Sequence, residues 1–67
     1  MQFDAVARRV LAEFDEMPGL TLTVRQAARL FGLDADQCRV VLDALVDSAY
    51  LRETRAGAVT RGERVAA

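Results

Sequence analysis

Every basic residue of this chain is arginine, nine in all, set against ten carboxylates, with no lysine and no histidine. Arginine suits bidentate contact with carboxylate or phosphate. The absence of histidine removes the usual general base and the commonest metal ligand. The single cysteine, Cys38, cannot close an internal disulfide. Acid pairs exist, but they fall on convex helix surface with no pocket-forming length around them. No glycine-rich phosphate loop and no metal-ligand spacing appears. Neither enzymatic activity nor a cofactor is expected. The chemistry on offer is recognition by charge, and the formal net charge of −1 argues against a strongly electrostatic nucleic-acid binder.

The elements that must carry these charges fit one small domain. A chain of 67 residues buries only about 60% of the surface its unfolded form exposes, and such domains are marginal alone. Apolar residues make up 52% and charged residues 28%, a globular balance. No apolar run approaches the ~18 residues needed to span a bilayer. Met1-Gln2-Phe3-Asp4 lacks a basic stretch followed by an apolar block, so no signal peptide is expected and a cytoplasmic location follows by default.

Phe3, Val6, Ala7, Val10, Leu11 and Phe14 recur at three- and four-residue spacing and predict a helix over 2–16, with Arg8, Arg9, Asp15 and Glu16 on its far side. Pro18-Gly19 stops it. Leu20-Thr21-Leu22 suits a very short strand. Thr23-Val24-Arg25-Gln26 fits a capping box and predicts a second helix over 24–31, packed through Ala27, Ala28, Leu30 and Phe31. Gly32 closes that helix in a left-handed conformation, and Leu33 turns inward. Asp34-Ala35-Asp36-Gln37 caps a third helix running to about Ala49, with Cys38, Val41, Leu42, Leu45 and Ala49 as its buried stripe. Residues 51–55 and 58–61 pair around Ala56-Gly57 as a hairpin. From Gly62 to Ala67 no pattern is visible, and fraying is expected. The domain is therefore 1–61, with 62–67 as tail.

The segment 22–33, Leu-Thr-Val-Arg-Gln-Ala-Ala-Arg-Leu-Phe-Gly-Leu, then Cys38, Leu42, Leu45-Val46 and Ala49-Tyr50-Leu51, resembles the winged helix-turn-helix superfamily of bacterial regulators. Glu16-Met17-Pro18-Gly19-Leu20 followed by Leu22-Thr23 is similar to small bacterial winged-helix proteins, mostly without assigned function. The resemblance covers about residues 10–61. It implies a mainly α fold, a three-helix winged helix-turn-helix with a short β-hairpin wing. It also implies double-stranded DNA as partner and a role as a small transcription regulator, the third helix entering the major groove and the wing touching backbone or minor groove.

One departure from that pattern stands out. At 100° per residue, the face of helix 3 opposite Cys38, Leu42 and Leu45 holds Asp36, Val40, Asp43 and Asp47. Residues 34–50 carry Arg39 against Asp34, Asp36, Asp43 and Asp47, a net of −3. Residues 24–33 carry +2 from Arg25 and Arg29, and residues 51–67 carry +2 from Arg52, Arg55, Arg61 and Arg64 against Glu53 and Glu63. The nucleic-acid-binding candidates are Arg25, Arg29, Gln37, Arg39, Val40, Arg52, Arg55 and Arg61. The alternative function is a protein–protein interaction domain on the same frame, with Asp36, Val40, Asp43 and Asp47 meeting a basic partner. Helix 1 carries more apolar surface than a three-helix core needs, including Leu11 and, beyond its end, Met17, so a homodimer through helix 1 is expected. Cys38 reads as a small buried apolar side chain rather than a redox thiol.

Overall fold

A computed structural model describes residues 3–63. Along the chain come α1 (Phe3–Glu16), β1 (Thr21–Thr23), α2 (Val24–Phe31), α3 (Ala35–Asp47), β2 (Leu51–Glu53) and β3 (Ala58–Arg61). The fold is mainly α, with a small three-stranded antiparallel sheet. Three expectations lie outside the described residues: the helix start at Gln2, the burial of Phe3, and the fraying of residues 64–67.

The core forms where the apolar stripes converge. Phe14 and Val10 of α1, Val41, Leu42 and Cys38 of α3, and Leu51 of β2 are the largest fully buried side chains among the described residues. Ala27, Ala28 and Phe31 bring in α2, and Val59 brings in β3. Full burial of each large apolar side chain stabilises the fold by about 1.5–3 kcal/mol. Leu11 is half-buried and packs against this core. It lies at the edge of the apolar stripe, and the outward side of α1 presents Asp4, Arg8, Arg9, Asp15 and Glu16.

The sheet has three strands, where a two-stranded hairpin was expected. Its order is β1-β3-β2, with Leu22 opposite Val59 and Arg52 opposite Thr60. The strand expected at Leu20–Leu22 sits one residue later. Leu20 instead offers its carbonyl to the buried Thr60 hydroxyl at 2.8 Å, which ties the start of β1 to the central strand. Arg55 lies in the connecting turn rather than in a strand. Gly57 takes φ 78, and the Thr54 amide already donates to the Ala58 carbonyl at 2.7 Å.

Two further expectations are corrected. The third helix ends at Asp47, and Ala49 is exposed in a left-handed conformation, φ 66, instead of lining the buried stripe. The Tyr50 amide donates to the Leu45 carbonyl at 3.0 Å and the Ala49 amide to that of Val46 at 3.0 Å. This pair of bonds closes a helix and needs a left-handed residue at the position Ala49 fills. Gly62, placed at the start of a loose tail, is anchored: its amide donates to the Tyr50 carbonyl at 2.9 Å. A Cβ on Gly62 would collide with the Ala49 carbonyl oxygen, so the close approach there requires glycine.

Candidate functional site

The unit that presents charge to solvent is α2, its turn and α3. Its start is fixed by a reciprocal cap: the Gln26 amide donates to the Thr23 hydroxyl at 3.2 Å, and the Gln26 side chain accepts from the Thr23 amide at 3.0 Å. The turn is fixed at Gly32, φ 67, where the amides of Gly32 and Leu33 both reach the Ala28 carbonyl. Asp34 then accepts from the Asp36 amide at 3.1 Å and starts α3. Asp34 and Asp36 at this end also oppose the helix dipole favourably. The reach-back from Gln37 that the capping pattern suggested is absent among the described side-chain bonds. Gln37 is exposed.

With Cys38, Val41, Leu42 and Leu45 turned inward, α3 shows water Asp36, Arg39, Val40, Asp43 and Asp47. Val40 is 60% exposed, the highest among the large apolar side chains of the described residues. Arg39 approaches Asp43 at 4.0 Å, with both side chains mostly in water. An exposed pair of this kind contributes about 0.2–1 kcal/mol, yet it neutralises part of the only positive charge on this face.

On α2, Arg25 and Arg29 are exposed. Leu30 beside them is 50% exposed and does not supply the packing side as expected. The signal was present in the spacing. Ala27, Ala28 and Phe31 define one inward direction, and Leu30 lies roughly 100° away from its centre. Arg52 on β2 and Arg55 at the hairpin turn are also exposed. Among the described residues, Arg25, Arg29, Arg52 and Arg55 have no carboxylate within ion-pair distance. Arg61 stands apart from this group. It is half-buried and pairs with Asp15 of α1 at 3.5 Å, tying β3 to the first helix. Arg9 sits 5.9 Å from the Phe31 ring centroid and is likewise engaged within the molecule.

The other chemical features lead inward. Cys38 is free and buried, with its Sγ 3.7 Å from the Val24 carbonyl oxygen, and burial pushes the thiol above its ordinary pKa. No cluster of three or more metal-ligating side chains occurs among the described residues. A shallow open groove of about 290 Å³ lies between the end of α3 and the hairpin, lined by Val46, Ala49, Leu51 and Gly62 with Arg52, Glu53 and Glu63 at its edge. Among the described residues no helix is long and apolar enough to cross a membrane. No protein-family model matches this chain, and neither does any curated protein or solved structure.

Proposed function

We propose that this chain is a winged helix-turn-helix that binds double-stranded DNA and acts as a small transcription regulator in the cytoplasm. The observation that carries the reading is the placement of Arg25 and Arg29 on α2 and of Arg52 and Arg55 on the hairpin, exposed and without carboxylate partners among the described residues. These elements flank α3 in sequence on both sides. With α3 in the major groove, α2 and the hairpin lie over the phosphate backbones that border it. Arginines at those positions contribute affinity without reading sequence. Base readout then falls to the outer side of α3. Arg39 can donate to guanine and Val40 can meet a thymine methyl, while Asp36, Asp43 and Asp47 repel the nearby phosphates. Arg61 contributes less, because Asp15 already holds its guanidinium.

A second reading has its own support. Asp36, Asp43 and Asp47 surround the exposed Val40, a charged rim about an apolar centre of the kind that suits a basic protein partner. On that reading the same frame serves protein recognition.

The test is a titration of a labelled random-sequence duplex at low and at high salt. The DNA reading predicts binding at low salt that falls steeply as salt rises. Arg52→Ala with Arg55→Ala should weaken it and flatten the salt slope by about 1 for each phosphate no longer neutralised. An unaltered duplex signal at low salt would end the DNA reading.

A further inference from the structure

Two helix strips on this small surface carry opposite charge, each with one exposed apolar side chain nearby. On α2, Arg25 and Arg29 accompany Leu30, 50% exposed. On α3, Asp36, Asp43 and Asp47 accompany Val40, 60% exposed. The α2 arginines and the α3 carboxylates form no ion pair with each other within the chain. Apart from the Arg39–Asp43 pair, these charges are not spent within the described residues, and the complementary set is present on every other copy of the same molecule. We propose that a second copy of this chain covers these strips, with α3 of each protomer laid on α2 of its partner, Arg–Asp pairs between them and Val40 and Leu30 beside those pairs. A two-fold arrangement satisfies both strips at once and closes at the dimer, since each protomer supplies one basic and one acidic strip.

The inference deepens the DNA reading and rests on it for its consequence. The dimer hides Arg25, Arg29 and the outer side of α3, the surfaces DNA would need. Self-association and DNA binding then exclude each other, and the carboxylates of α3 hold the DNA surface covered until duplex displaces the second copy. The surface used differs from α1, whose outward side carries charges of both signs with no comparable separation.

Two charge-reversed chains provide the test. One carries Asp43→Arg and Asp47→Arg, so both strips are basic. The other carries Arg25→Glu and Arg29→Glu, so both are acidic. A control pair moves the same charges to α1, with Asp4→Arg and Glu16→Arg in one chain and Arg8→Glu and Arg9→Glu in the other. Circular dichroism first establishes that each is folded. Sedimentation equilibrium at high micromolar concentration should find wild type dimeric, each strip variant monomeric, and the two strip variants dimeric again when mixed in equal amounts. Raising the salt several-fold should weaken the wild-type dimer about tenfold, as screening shortens the reach of exposed charges. A monomeric wild type would overturn the proposal, as would mixed strip variants that stay apart or a control pair that associates equally well. The two readings fail separately. Wild type tested against random duplex, at concentrations too low for self-association, reports on DNA binding alone, whatever the sedimentation result.

Discussion

The helices α2 and α3 are built alike inside and opposite outside. Each begins at a side-chain cap, each buries one apolar strip in the same core, and each ends at a left-handed residue. Their outer sides diverge: two arginines and no carboxylate on α2, one arginine against three carboxylates on α3. The inner sides fix a frame that many sequences can build, while the outer sides carry whatever distinguishes this molecule. The residues that build the fold are thus distinct from those that give each helix its outer charge.

The comparison breaks most forcefully from the inside. Leu45, 5% exposed on α3, has its counterpart in Phe31, 4% exposed on α2. Leu45→Ala should destabilise the protein by about 2–5 kcal/mol, through reduced transfer energy and the cavity left behind. That is comparable to the whole stability of a domain this small. A urea melt of Leu45→Ala that overlays wild type would show the core to be misplaced.

The two helix ends sharpen the comparison. Gly32 and Ala49 occupy equivalent left-handed positions, φ 67 and φ 66. A Cβ there costs about 1–2 kcal/mol. Gly32→Ala should therefore lower stability by about that amount, although an added methyl at this position meets nothing within van der Waals reach. Ala49→Gly should raise stability by a smaller amount, about 0.5–1 kcal/mol, because added freedom in the unfolded chain offsets part of the relief. Equal and unchanged melting temperatures for both variants would contradict this account of the two ends.

The frame was largely legible in the sequence because its signals are local. The capping box at Thr23 and Gln26, the stop at Gly32 and the apolar spacing of α1 and α3 each act within a few residues. What escaped depends on residues distant along the chain. The pairing of β1 with β3 joins residues nearly forty positions apart, and the anchoring of Gly62 depends on the Tyr50 carbonyl and the close passage of Ala49. Ala49 continued the apolar spacing of α3, and only the cap bonds from Tyr50 and Ala49 itself reveal that the helix has already closed. Among the candidate site residues, Arg25, Arg29, Arg52 and Arg55 are as exposed as their spacing implied. The partner of Arg61 could not be read, since Asp15 reaches it only through the fold.

The smallest effect concerns the buried seam between the two helices. Cys38 should react slowly with a thiol reagent in native buffer and rapidly in denaturant, since its Sγ is enclosed. Its raised pKa means the folded state holds the thiol proton more tightly than the unfolded chain does. This contributes stability that is present below the ordinary thiol pKa and is lost as pH rises through the folded value. Cys38→Ser should flatten any loss of stability in that alkaline window, which melts at stepped pH would measure. Fast native labelling would place the thiol at the surface instead.

On the proposed function, the arginines around α3 bind DNA while the carboxylates on α3 oppose it. Its most direct test is the affinity of Asp43→Asn/Asp47→Asn for a random duplex at low salt, beside Arg52→Ala/Arg55→Ala. Both pairs are exposed, so folding should be little disturbed. The account predicts opposite signs, about tenfold tighter binding for the asparagine variant and about tenfold weaker for the alanine variant. Two variants that bind duplex as wild type does, or an asparagine variant that binds it less well, would contradict it.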